Sequence, residues 1–346
     1  MACDSIVCLV QWIVFVPTLI AGLPLNLAAL WLLLFRVRRR SESTVYLLSL
    51  VLNDCLLLFS LPFKMHAYNR EWKLGRGFCS MLESLVYVNI YGSILLTVCI
   101  SVDRYVSLCS PFTARRLRSP RKAWIVCFAI WSIICVASFP VYSFHSANST
   151  DKYCFQNFSN DTWNQVGLVV SMQVVFCSSA LVMVFCTLQV VRILHRLRRR
   201  NPEDEKLRNN KSIKIVMSNL FVFLACFIPY HVAVLIYFVA KNVGGSEIHP
   251  LREFVHISSC VSSINCLADG ACYYFILKEN LQSALRERRA VICIRDTRTK
   301  PPQTVTQSTL LDVHDNTQTG KQTDISENHT DACERQTESI SHTDKL

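Results

Sequence analysis

Seven stretches of this chain are long and apolar enough to cross a lipid bilayer, and that alone removes most folds from consideration. They run over Val7–Phe35, Thr44–Ala67, Cys79–Cys109, Ala123–Phe144, Gln165–Leu194, Ser212–Ala240 and Phe254–Leu277. The third is the most constraining. From Cys79 to Cys109 it contains no proline and one glycine, and it carries no charge between Glu83 and Asp103. At about 1.5 Å per residue, the steps from Cys79 to Asp103 cover about 36 Å, the full depth of a membrane. A core helix of a large soluble protein is the competing reading of one such run, but the other six argue against it. Backbone in lipid must satisfy its own hydrogen bonds, so only helices and closed barrels can cross. These runs lack the strict alternation of barrel strands. The sequence therefore predicts an all-α membrane protein, a seven-transmembrane helix bundle.

The connecting loops set its orientation. Arg36, Arg38, Arg39 and Arg40 follow the first run. Arg115, Arg116, Arg118, Arg121 and Lys122 follow the third, and Arg196, Arg198, Arg199, Arg200, Lys206 and Arg208 follow the fifth. These alternate loops share one side, so that side is expected to be cytoplasmic and the N-terminus extracellular. Three sequons, at Asn148, Asn157 and Asn160, fall between the fourth and fifth runs on the expected outer side and are candidate glycosylation sites. Asn210 and Asn328 also head sequons, but they lie on the inner side and are expected to stay bare.

Charge and cysteine content fit the same picture. The net charge is +11, yet residues 296–346 hold nine acids against five bases, so residues 1–295 carry +15. The basic residues sit beside apolar runs, which marks membrane topology and not a nucleic-acid surface. Most of the 17 cysteines lie inside apolar runs, where Cys behaves as a small hydrophobe. No cleavable signal peptide is expected, because the first run is too long and arginines follow it. Residues 1–6 read as an extracellular N-terminus and 7–277 as the bundle. Residues 278–293 read as a short amphipathic helix along the inner leaflet, with Leu281 and Leu285 four apart among basic residues. Cys293 is either palmitoylated or an ordinary tail cysteine. Residues 294–346 are polar and expected to be disordered; fifteen Ser/Thr lie among acids between Thr297 and Thr343. Arrestin and receptor kinases are the expected partners of such a tail.

Ionisable groups inside a membrane are costly and mark function. Asp54 and Asp269 are two such acids, with Asn26 and Ser93 nearby in the predicted bundle. Asp54, Ser93 and Asp269 form a candidate site for an allosteric sodium ion; protonated, hydrogen-bonded acids are the alternative. No other cofactor is expected. Lys64 lies ten residues from Asp54, about 15 Å further out along the second helix. It can pair with an anionic ligand or with Glu83, and both can hold together. Tyr87, Tyr142 and His231 join them in the outer half, with Arg252 and His256 at the outer mouth. Val86, Leu235 and Phe238 are candidates for holding an acyl chain; helix packing is their commoner role. Pro229 removes a helix hydrogen bond and is either a static kink or a hinge.

The pattern resembles the rhodopsin-like (class A) G-protein-coupled receptors over about residues 7–290. The residues that carry the likeness are Asn26, Asp54, Asp103-Arg104-Tyr105, Trp131, Cys226-Phe227-Ile228-Pro229 and Asp269-Gly-Ala-Cys-Tyr273. The resemblance implies that Cys79 pairs with Cys154. It also implies that Arg104, beside Asp103 and Tyr105, couples to a heterotrimeric G protein. Phe227, Pro229 and Tyr273 belong to the activation machinery on the same basis. Three departures stand out: Phe227 for the usual tryptophan, Ser179 for the usual proline of the fifth helix, and Gly270 for that of the seventh. The position of a retinal-binding lysine is Ser263, and the aspartate typical of amine receptors is missing at Val86 and Tyr87.

Longer stretches resemble the lysophosphatidylinositol-receptor branch of that class, often discussed with the cannabinoid receptors. They include Leu61-Pro-Phe-Lys-Met65, Leu117-Arg-Ser-Pro-Arg-Lys122, Pro140-Val-Tyr-Ser-Phe-His145, Asp161-Thr-Trp163 and Cys272-Tyr-Tyr-Phe275. This implies a lysophospholipid agonist held by Lys64, coupling to Rho-activating G proteins and a plasma-membrane location. That branch often ties an N-terminal cysteine to the third outer loop; Cys3 and Cys8 are present here, but Lys241 to Glu253 holds no cysteine. A receptor for a small anionic metabolite or nucleotide is the nearest alternative. A seven-helix channel or transporter is a weaker one, since no internal repeat is visible. No hydrolytic or redox constellation appears, and Cys and His lack metal-ligand spacing, so no enzyme is expected.

Overall fold

The computed structural model describes residues 6–37, 41–69, 71–109, 119–143, 154–155, 166–200, 211–243, 248–274 and 278. All belong to the first of the two units into which the chain divides, Met1–Glu279. Helix α1 (Ile6–Trp31) runs into a π turn, Leu32–Arg36. Then come α2 (Glu42–Asn69), α3 (Arg76–Cys109), α4 (Pro120–Ser143), α5 (Val166–Arg200), α6 (Lys211–Val243) and α7 (Ile248–Ser262). A further helical segment occupies 264–274. No strand occurs among the described residues.

Each apolar run became a helix, and most helices extend past it. Helix α5 continues through Arg200, because nothing in a run of Arg and Leu stops a helix once it leaves lipid. Six helices, α1 with its π turn through α6, have the length and hydropathy to span a membrane. The seventh pass is divided. Residues 248–274, about 40 Å if helical throughout, break at Ser263. There the backbone amide bonds Cys260 O, three residues back, at 3.0 Å. Ser262 and Ser263 both send their hydroxyls to Ser259 O. Side chains that compete for a helix carbonyl loosen the turn locally. Gly270, which stands where a proline is usual, is helical; the irregularity lies about two turns earlier.

Helix α3 is the centre, packed against α2, α4, α5 and α6. Helix α1 contacts α2 and α7, and α7 contacts α6, which closes the ring. Gly92 and Gly270 permit two close crossings. A Cβ on Gly92 would lie 2.7 Å from Asn53 Oδ1, and one on Gly270 would lie 2.6 Å from Asn26 Nδ2. Gly270 is therefore a contact surface as well as a missing proline. Helix α5 is unbroken across Ser179, which is buried. Hydrophobicity is turned outward on the periphery: Ile125, Phe128, Val136 and Phe139 of α4 are all exposed. Only lipid makes that arrangement favourable.

The amphipathic segment 278–293, Cys293, the tail 294–346 and the sequons at Asn148, Asn157 and Asn160 lie outside the residues whose surroundings are described; of these, Lys278 alone is described, its ammonium over the Tyr274 ring. So does the side chain of Tyr142.

Candidate functional site

Three clusters of polar or aromatic side chains sit inside this bundle, at different levels along α3. The first surrounds Lys64 near the end that carries Cys79. Lys64 is 3% exposed although it is a lysine. Its Nζ lies over two ring faces, Phe15 of α1 at 5.1 Å and Phe155 at 5.6 Å. Among the described residues, no carboxylate stands within ion-pair distance of it. Glu83, His256 and Cys260 are its electrostatic neighbours.

Glu83 is engaged elsewhere. Its Oε1 accepts a hydrogen bond from the Phe155 backbone amide at 3.0 Å. Phe155 follows Cys154, which is disulfide-bonded to Cys79 with Cα atoms 5.8 Å apart. Glu83 lies one turn after Cys79 on α3, so the disulfide and the carboxylate grip the same loop residue pair. Phe155 has φ +66°, a left-handed conformation that costs a bulky residue about 1–2 kcal/mol. The gripped loop thus presents a ring over Lys64. Cys79, Glu83 and Cys154 crowd together like a metal site, but the two sulfurs are bonded to each other. Cys8 is also disulfide-bonded, to a partner outside the described residues.

The second cluster is aromatic. Tyr87 and Tyr230 share a side-chain hydrogen bond. His231 is buried, with Phe176 edge-on at 4.0 Å and Tyr91 stacked at 5.9 Å. Its Nε2 has no hydrogen-bond partner among the described residues. Phe176, Phe223 and Phe227 continue the chain of rings toward the middle of the bundle. Val86 packs on both clusters and joins them. Arg252 is within electrostatic reach of His256 and Tyr237. Of the residues considered for an acyl chain, Val86 and Phe238 face the interior, whereas Leu235 is exposed on the outside of α6. Its position in α6 turns it to lipid.

The third cluster is a polar network at mid-bundle. Asp54 is fully buried, and its Oδ1 accepts from Asn89 Nδ2 at 3.4 Å. Asn53 Nδ2 donates to Ser93 Oγ and Asn89 O, both at 3.0 Å. Asn265 Nδ2 donates to Asp269 Oδ2 at 2.9 Å. Asn26 Nδ2 ties α1 to the 264–274 segment through Cys266 O at 2.9 Å. Asp54 and Ser93 are therefore joined through Asn89 and Asn53, while Asp269 is bonded to Asn265 and is an electrostatic neighbour of Asp54. The sequence reading missed Asn53, Asn89 and Asn265, although Asn89 and Asn265 stand four residues before Ser93 and Asp269. That spacing on a helix was the available signal. Asp54 Oδ2 and Asn53 Oδ1 accept no hydrogen bond among the described residues.

At the other end of α3, Asp103 is buried and accepts from the Ser43 hydroxyl of α2. Ser43 was not singled out, because nothing local links residues sixty apart. Tyr105 meets Phe185 of α5 edge-on at 5.7 Å. Tyr273 is buried and donates to Asn219 Oδ1 of α6 at 3.2 Å, tying the last helical segment to α6. Pro229 lies inside α6, where it leaves the Ala225 carbonyl without its helical donor.

This arrangement of seven membrane-crossing passes with a buried polar axis agrees with direct comparison. The sequence model of the 7 transmembrane receptor (rhodopsin family) matches residues 25–273. Lysophosphatidic acid receptor 6 of Gallus gallus is 32% identical over 278 residues, covering 77% of this chain and 90% of that receptor. G-protein coupled receptor 55 of Homo sapiens is 32% identical over 298 residues, covering 83% and 92%. Lysophosphatidic acid receptor 4 of Mus musculus is 30% identical over 276 residues, covering 77% and 74%. The chain belongs to the rhodopsin family of seven-transmembrane receptors. It is a multi-pass membrane receptor and not an enzyme.

Proposed function

We propose that this receptor lies in the plasma membrane with its N-terminus outside, binds an anionic lysophospholipid through Lys64, and activates heterotrimeric G proteins of the Rho-activating class. The observation that carries the ligand reading is the Lys64 ammonium, buried over two aromatic faces with no carboxylate in ion-pair range among the described residues. A buried cation without a counter-charge is costly, and a phosphate headgroup supplies one. The relatives support it, since two of the three are named for lysophosphatidic acid. Glu83 acts by holding the Phe155 loop over the site, and His256 and Arg252 line the approach. Tyr87, His231 and the rings around them stand where the acyl chain would enter.

Activation on this reading passes down α6, where Pro229 provides compliance and Phe227 joins the ring chain above the polar network. Arg104 is the group that engages the G protein once α6 moves away. The polar network fits a sodium ion: Asp54 Oδ2 and Asn53 Oδ1 are buried oxygens with capacity to spare, and Ser93 and Asp269 stand beside them. A sodium ion there would supply positive charge between the two acids and favour the resting arrangement. Phosphorylation of the tail's serines and threonines would add charge for arrestin.

The test is guanine-nucleotide exchange on a G protein in reconstituted bilayers. A lysophospholipid should stimulate it in wild type. Lys64→Ala, at matched receptor density, should raise the half-maximal concentration about tenfold to a hundredfold, the worth of a charge-assisted hydrogen bond. Equal potency on both receptors refutes the role of Lys64, and stimulation by a nucleotide instead of a lipid refutes the ligand class.

A further inference from the structure

Helix α5 carries one face out of the lipid without interruption. Val170, Val174, Leu181, Phe185 and Leu188 follow one another at steps of three, four or seven residues and are all exposed, a stripe turned to lipid. Every exposed residue of α5 after Leu188 is Arg or His: Arg192, His195, Arg196, Arg198, Arg199 and Arg200. Arg192, Arg196 and Arg199 continue the apolar stripe at the same steps of four and three. The opposite face stays inside, with Val190 and Leu194 packed against Val216 of α6. By helix rise, Arg192 stands about 6 Å beyond Leu188, Arg196 about 12 Å and Arg199 about 16 Å. The headgroup layer on one side of a bilayer is about 5–8 Å deep. Arg192 therefore lies among ordinary lipid phosphates, and snorkelling accounts for it. Arg196 and Arg199 stand beyond that layer, where the phosphate of an ordinary lipid does not reach.

We propose that this face binds a polyphosphoinositide of the inner leaflet, with Arg192 on the phosphodiester and Arg196 and Arg199 on the ring phosphates that project past the headgroup layer. The orientation proposed above puts this end of α5 in the cytoplasm, the side on which such lipids are displayed. Two parts of the ligand match two parts of the face. The acyl chains lie along the apolar stripe, and the multiply charged ring meets guanidinium forks, whose planar geometry suits phosphate. A free inositol phosphate gains only the second contact. Glu203, Asp204 and Glu205 follow in the sequence, outside the described residues, and are competing partners for the arginines. An acidic surface of the G protein is another competitor. A G protein engaging Arg104 approaches the inner side of α5, which carries Leu194 and Leu197, whereas the basic stripe runs on from the side that faces lipid.

The test counts molecules bound to the full-length receptor by native mass spectrometry, in titrations with phosphatidylinositol bisphosphate, with phosphatidylserine at matched total charge, and with soluble inositol trisphosphate. Wild type should bind the bisphosphate at concentrations about tenfold below those needed for the other two. At about fivefold per arginine, Arg196→Gln/Arg199→Gln should raise its half-saturating concentration about tenfold to thirtyfold, and that of phosphatidylserine less than about threefold. Arg198→Gln/Arg200→Gln removes the same charge about 100° to either side of Arg199 and should cost less than about threefold. Equal binding of the two lipids, or equal losses in the two double variants, reduces the face to a diffuse surface attraction and overturns the proposal. Inositol trisphosphate that binds as tightly as the bisphosphate lipid overturns the lipid as occupant, and no bound lipid at all leaves the arginines to the acids that follow them. If Arg196→Gln/Arg199→Gln loses nucleotide exchange with lipid binding intact, the face belongs to the G protein and the proposal falls.

Discussion

Replacing Gly270 by alanine should destabilise this receptor out of proportion to one methyl group. The new Cβ would lie 2.6 Å from Asn26 Nδ2 and 3.0 Å from Asn26 Cγ, both well inside contact distance. The clash is with the rigid end of a short side chain that has nowhere to go. Asn26 is fully buried, and its Nδ2 donates to Gly22 O and to Cys266 O, each at 2.9 Å. Relief requires either moving the 264–274 segment away from α1 or swinging the amide off the Cys266 carbonyl. The first is overpacking, at about 1–3 kcal/mol. The second leaves a buried carbonyl and amide short of a bond, at about 1–3 kcal/mol. Alanine recovers about 0.4–1 kcal/mol through the unfolded chain. A net loss of about 1–3 kcal/mol remains, enough to lower the thermal midpoint by several degrees. Thermal unfolding of purified receptor in lipid nanodiscs measures it. Gly167→Ala on α5 is the control, because its Cβ would meet nothing within 4 Å; it should be neutral or mildly stabilising. The pair Asn26→Ala with Gly270→Ala should lose less than the sum of the two single changes, since the obstruction is gone. A Gly270→Ala receptor as stable as wild type would refute the close-contact reading.

Cys79→Ala should reduce surface expression and thermal stability; by the chain-entropy argument, a closed loop with a separation of 75 residues is worth about 4 kcal/mol, and unchanged expression and signalling with both cysteines replaced would contradict it. Arg104→Ala should abolish nucleotide exchange and leave radioligand affinity intact, and retained exchange would remove Arg104 from the coupling role. Ser43→Ala should raise agonist-independent exchange by removing one of the contacts that tie the cytoplasmic end of α3 to α2, whereas a silent variant would make the Ser43–Asp103 contact structural only. Sodium, replacing a bulky cation, should lower agonist affinity in wild type and not in Asp54→Asn, and identical affinities in wild type would dismiss the ion.

The sequence alone determined the membrane-spanning class. A bilayer admits so few backbone solutions that length and hydropathy nearly suffice, and all seven passes begin and end within a few residues of the apolar runs, α5 and α7 excepted. It also located the acids, the buried lysine and the cysteine at the end of α3, because a charge inside an apolar run stands out wherever the run folds. The tertiary structure decided which of these groups have partners. Glu83 looks like the natural mate of Lys64 by position, yet it binds the Phe155 amide, a choice fixed by a disulfide seventy-five residues long in sequence. Gly270 reads in the sequence only as a replaced proline, yet it is a seat for Asn26. The break in the seventh pass fell at Ser263, where neighbouring hydroxyls compete for one carbonyl. Asn53, Asn89 and Ser43 were silent in the sequence because an uncharged polar residue acquires meaning only from what is packed against it. Spacing along one helix says which residues share a face; only the packing of several helices says what that face meets.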